Sequence, residues 1–284
     1  MPIASSANRV TRRDFLHHAT VLSAGGALWS TSQGVWAQAA KPVAVNADEL
    51  RIMIGRATRL SVLSDRVTRC QVQRSLKVLV ARAERQFDDT GREVREVLAQ
   101  LAASGLPDEA RRPVGPAREA YEVFLRKAQA MDLNKQDGLV AFADEADKVG
   151  DAVDAVVKAL VDVKGTNTAQ VLATTAELQR LTQHAAVHFL LASAGIDTSE
   201  QLKEVSQARA AFSQGLNALR NNAVKSNATE SQLQLLEPQW VLMANALANP
   251  GKEVKRMEDI CTTSERLLEV TTSLYKLYDG LLKT

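Results

Sequence analysis

The chain has 284 residues, with 35 basic and 33 acidic side chains, 45 % hydrophobic content and 4 % aromatic content. Fourteen glycines and seven prolines are too few for a collagen-like or low-complexity chain, and the hydrophobic content is too high for wholesale disorder. No apolar run reaches the roughly 20 residues of a membrane-spanning helix, and plentiful Ala, Leu, Val and Gln with few aromatics favour helices over a sandwich or barrel.

The first segment reads as an address. Thr11-Arg12-Arg13-Asp14-Phe15-Leu16 carries a paired arginine, followed by a weakly apolar stretch from Val21 to Trp36. Ala37-Gln38-Ala39 supplies the small-x-small pattern that signal peptidase accepts. Residues 1–39 resemble a twin-arginine export signal, which a receptor reads as an address. A periplasmic protein cleaved near Ala39 is expected. Cleavage removes three basic residues (Arg9, Arg12, Arg13) and one acidic residue (Asp14), which leaves the remainder electrically balanced. Nucleic-acid binding, which needs a standing excess of Lys and Arg, is not expected.

Beyond residue 39, helical periodicity runs almost throughout. The first helix has Leu60, Leu63, Val67 and Cys70 on one face, and Lys77-Val78-Leu79-Val80 then offers no Gly, Pro or Asn to mark its end. Either an unmarked turn lies there or one helix runs on toward Gly91. Gly105-Leu106-Pro107 and Pro113 to Pro116 read as breaks. Leu139, Phe142, Ala146, Val149, Val153, Val156 and Leu160 form a seam at alternating spacings of three and four. Gly165 ends that helix, and Gly195 to Glu200 marks another turn in which Asp197 or Thr198 caps the next helix. Thr229-Glu230-Ser231-Gln232 fits a capping box, Asn249-Pro250-Gly251 reads as a break, and Met257, Ile260, Leu267, Leu274, Tyr278 and Leu281 form a last seam. The chain is expected to be all-α.

A shift of 118 residues keeps these seams in phase. It lays Leu60 on Leu178, Leu63 on Leu181, Val94 on Phe212, Leu98 on Leu216, Phe142 on Ile260, Val149 on Leu267 and Val156 on Leu274. Two tandem, related four-helix-bundle modules are therefore expected, residues 40–165 and 166–284, with the boundary near Gly165 to Asn167.

Thr58-Arg59-Leu60-Ser61-Val62-Leu63-Ser64-Asp65-Arg66 resembles the first-helix signature of the type IV pilus methyl-accepting chemotaxis transducer N-terminal domain, the PilJ-type module. Arg59, Leu63, Ser64 and Arg66 match it, while Thr58, Ser61, Val62 and Asp65 differ. The second copy keeps Leu181, Thr182 and Gln183 in phase, with Glu177 and His184 where the arginines would stand. Ala210-Ala211-Phe212, Gly215-Leu216, Glu237-Pro238 beside Trp240, and Ser264-Glu265 add to the likeness. The resemblance implies a helical bundle used for extracytoplasmic sensing, related to the ligand domain of nitrate/nitrite sensor kinases. It implies a ligand-binding set of Arg59, Ser64 and Arg66, because first-helix arginines hold the anion at a dimer seam in those kinases.

The residues themselves leave two readings of Arg59 and Arg66 open. On one helix flank, about 10 Å apart along the axis, their fixed forks of donors can grip a small planar oxyanion. Otherwise they lie over apolar neighbours or pair with Asp65 or Glu84. His184 and His188, spaced i, i+4, can share one metal ion, the basis of an alternative metal- or cofactor-binding reading, or can serve as hydrogen-bonded core histidines. Cys70 and Cys261 read as buried free thiols, although export permits a disulfide. Asp88-Asp89 and Asp144-Glu145 read as solvated helix faces. There is no Gly-x-Ser-x-Gly elbow, phosphate loop, EF-hand loop or Cys-x-x-Cys-His haem attachment. No enzyme activity and no cofactor are expected. The expected function is an exported sensory or ligand-binding module for a small anionic ligand or a helical partner. With no membrane span expected in the mature chain, it would act through a separate membrane receptor or a co-exported protein, and a homodimer is compatible.

Overall fold

The computed structural model describes residues 47–282 apart from 131, 133, 134, 162–166, 249, 250 and 252. The expected export signal and cleavage site lie outside the described residues. Nine helices and no strand occur among those residues: α1 Ala47–Ser75, α2 Val80–Ala102, α3 Asp108–Arg111, α4 Val114–Ala130, α5 Gln136–Val161, α6 Asn167–Ser193, α7 Thr198–Arg220, α8 Asn227–Leu247 and α9 Val254–Leu281. The all-α expectation holds. No helix among the described residues is long and apolar enough to cross a membrane.

Burial follows the periodicity. Leu139, Phe142, Val149, Val153, Val156 and Leu160 of α5 are buried, as are Met257, Ile260, Leu267, Leu274 and Tyr278 of α9. Every apolar pair matched by the 118-residue shift is buried at both members. α1 packs against α2 and α5 as α6 packs against α7 and α9, and α4 lies on α5 as α8 lies on α9. α1 also packs along α6, which joins the halves. Residues Val43–Thr284 fall in one compact unit, and buried apolar residues from both expected modules, 40–165 and 166–284, belong to one core cluster.

The same spacing recurs in the helix ends. Ser75 and Ser193 close α1 and α6, Val80 and Thr198 open α2 and α7, Ala102 and Arg220 close them, and Gln136 and Val254 open α5 and α9. The turn after α1 is real although no residue type marks it. Lys77 (φ 58°) and Leu79 (φ 48°) are left-handed there, as are Gly195 (φ 80°) and Asp197 (φ 37°) in the turn after α6. One backbone shape is thus written with glycine in one half and with lysine in the other. An L-residue in that region costs about 1–2 kcal/mol, and the exposed Lys77 has little packing to offset it. Lys77→Gly is expected to stabilise the protein by about 1 kcal/mol, and Gly195→Lys to destabilise it by a similar amount, both read by urea denaturation.

Three local expectations change. Asp197 occupies the N-cap of α7 but makes no side-chain cap; its carbonyl instead accepts from the N–H groups of Glu200 and Gln201. The capping box of α8 begins at Ser226, not Thr229. Ser226 Oγ accepts from the Thr229 N–H, and Thr229 Oγ1 accepts from the Ser226 N–H, so Thr229 is the third helical residue rather than the cap. Pro116 lies within the first turn of α4, where its missing N–H has no intrahelical partner to lose.

Candidate functional site

α1 carries a row of buried and half-buried charged side chains, and it sends them in three directions. Toward α2, Arg59 donates from Nε and Nη2 to the two carboxylate oxygens of Glu93 at 2.8 and 3.2 Å. Its remaining nitrogen, Nη1, is buried without a hydrogen-bond partner. Toward α9, Arg66 forks onto Glu265 at 3.1 and 2.6 Å. Toward α6, Asp65 Oδ2 lies 3.6 Å from Arg180 Nη1 and 3.6 Å from His184 Nδ1. The two arginines therefore flank α1 but turn to different helices, onto Glu93 and Glu265. Ser64 is buried and donates to the Leu60 carbonyl within its own helix.

A third arginine, Arg69, is the largest fully buried side chain among the described residues. It donates to Glu265 at 2.7 Å, to Gln86 at 3.0 Å, and to the Cys261 carbonyl and Ser264 hydroxyl at 3.1 and 3.2 Å. Gln86 adds a fourth bond to Glu265 at 2.9 Å. Burial opposes the charge of Glu265, yet Arg69 and Arg66 outweigh it and hold this carboxyl below the usual range. Arg69 shares a helix face with Arg66, three residues earlier, and that spacing alone does not say which of the two turns inward. Cys70 and Cys261 beside this cluster are buried and free, and burial pushes both thiols up, Cys261 to about 12.

The second constellation joins α6 to α7. His184 and His188 stack edge to face with ring centroids 4.2 Å apart, one turn from each other on α6. Glu204 of α7 places Oε2 3.6 Å from His184 Nε2, and Gln201 of α7 places Oε1 2.6 Å from His188 Nδ1. Donor atoms of His184, His188 and Glu204 all lie within 4.8 Å of one another. Burial disfavours a charged His184, but Asp65 and Glu204 reverse this and raise its pKa. Burial and then the neighbouring His184 lower that of His188. Glu204 sits in the stretch after the Gly195 turn, and no sequence spacing rule linked it to the histidines; only the antiparallel return of α7 along α6 does so.

Of the carboxylate pairs, Asp88, Asp89 and Asp144 are exposed as expected. Glu145 is a correction: it is only 8 % exposed and is held by Lys127 at 2.7 Å and Lys148 at 2.5 Å, whose hydrogen bonds lower its pKa. Comparison with protein-family models, with curated proteins and with solved structures gives no match.

Proposed function

We propose that this chain is an exported, non-enzymatic binding or sensory module of PilJ type, built from a duplicated four-helix unit, in which the flank of α1 receives a small oxyanion or a helical partner. One observation carries the reading. Arg59 Nη1 is a buried cationic donor with no partner, and a buried donor left unpaired costs free energy that an acceptor would recover. The matched helix ends of the two halves and the placement of α1 at their junction support it. Displacing Glu93 or Glu265 from a guanidinium fork would loosen α1 from α2 or α9, and a separate membrane receptor or co-exported protein would read that change.

Thermal-shift measurements on the full chain with nitrate and other small planar oxyanions test this. A ligand at a hundredfold excess over its Kd stabilises by about 2.7 kcal/mol. Arg59→Ala and Arg66→Ala are expected to abolish the shift. Equal stabilisation of the wild type and both variants, or no stabilisation by any oxyanion, would refute the arginine site.

A further inference from the structure

We propose that His184, His188 and Glu204 form a binding site for a divalent transition-metal ion of the zinc type, a site that goes beyond the oxyanion reading and does not involve the arginines of α1. The donor set is the first argument. Two imidazoles and one carboxylate suit zinc and its neighbours, and three protein ligands leave a fourth position for water or a bound ligand. The separations are the second. His184 Nε2 and Glu204 Oε2 are 3.6 Å apart, close to the roughly 3.4 Å edge of a tetrahedron with metal bonds of about 2.1 Å. The three donor atoms lie within 4.8 Å of one another, so a small rotation of the side chains closes the set.

The outer contacts are the third argument and an independent one. Each imidazole has an oxygen facing its Nδ1: Gln201 Oε1 at 2.6 Å for His188, and Asp65 Oδ2 at 3.6 Å for His184. Gln201 Oε1 holds the proton on Nδ1 of His188 and leaves Nε2 with its lone pair for the metal, the usual outer arrangement of metal-bound histidine, while the Asp65 carboxylate favours a proton on the near nitrogen of His184 by charge. Asp65 is itself balanced by Arg180, 3.6 Å away. The ligands also sit on rigid backbone. Both histidines lie one turn apart on the 27-residue α6, while Gln201 and Glu204 lie three residues apart on one face of α7. A proton shared between His184 and the carboxylates would explain one imidazole alone. The second, stacked at 4.2 Å, is held instead by Gln201 through Nδ1. His184 is nearly buried while Glu204 is partly exposed, so an ion reaches the site from the Glu204 side.

The test uses the full chain, stripped with chelator and titrated with Zn2+ by calorimetry, with Co2+ as the spectroscopic probe. One Zn2+ per chain is expected, with a visible band from low-symmetry Co2+. His188→Ala and Glu204→Gln are each expected to weaken binding at least tenfold, while Arg59→Ala leaves it unchanged, which separates this site from the oxyanion flank. Glu204→Gln, at a partly exposed position, keeps the test decisive if His188→Ala folds poorly by circular dichroism. Failure of the wild type to bind Zn2+ stoichiometrically would overturn the proposal, as would equal binding by a folded Glu204→Gln protein.

Discussion

Replacing Glu265 by alanine is expected to destabilise the protein by about 3–5 kcal/mol, the scale for breaking a buried ion pair by removing one partner. The carboxylate accepts four hydrogen bonds, one of them from an arginine with no solvent exposure. Without it, Arg66 and Arg69 face each other across a site that water cannot fill at low cost. Urea denaturation at neutral pH measures the loss, and a change below 1 kcal/mol would contradict the role given to this residue. The acid dependence has a definite sign. The folded pKa of Glu265 lies below its unfolded value, so its contribution is complete above the ordinary glutamate range and is lost as pH falls through the folded pKa. The Glu265→Ala protein is therefore expected to show a smaller drop in stability on acidification than the wild type.

The second large effect belongs to the packing of α7 on α8. Phe212 is fully buried and stacks on Trp240, with ring centroids 3.8 Å apart and planes 18° from parallel. Trp240 Nε1 donates to Ser213 Oγ at 3.4 Å, which keeps its one polar atom satisfied. Phe212→Ala removes the ring and leaves a cavity beside a rigid indole, at an expected cost of about 3–5 kcal/mol. Phe212→Leu keeps most of the volume and is expected to cost less than half as much. Urea titration followed by far-UV circular dichroism checks both, and equal losses for the two variants would show that stacking geometry rather than cavity volume decides the cost.

The helices were legible because their seams are long and regular. Leu139 to Leu160 and Met257 to Tyr278 repeat over many turns, and most of their seam positions are buried. The turn after α1 was not legible, since Lys77 and Leu79 adopt left-handed angles that their residue types disfavour. The matching Gly195 shows that the position, not the residue, determines the shape there. The start of α8 was misplaced by three residues because Thr229 resembles a cap equally well from either side of the box.

Charge was the hardest to read. The sequence places Arg59 and Arg66 on one flank of one helix, but their partners, Glu93 and Glu265, lie 34 and 199 residues away. Local spacing is silent on such pairs. His184 and His188 were visible as an i, i+4 pair, whereas Glu204 and Asp65 reach them only through the packing of α7 and α1 on α6. A third arginine turned inward was missed altogether, because an arginine beside a core face is usually solvated.

The reach of Arg66 to Glu265 also dictates an order of assembly. At about 5–20 residues per second, the carboxylate leaves the ribosome on the order of 10–40 s after the guanidinium it neutralises, given their separation of 199 positions. Until then α1 holds two cations that belong in the interior, with no counter-charge from α9. Water is the better solvent for them during that interval. The first helix is therefore made early and locked last, and in a chain truncated before α9 it keeps its apolar partners in α2, α5 and α6 but has no Glu265 to neutralise Arg66 and Arg69.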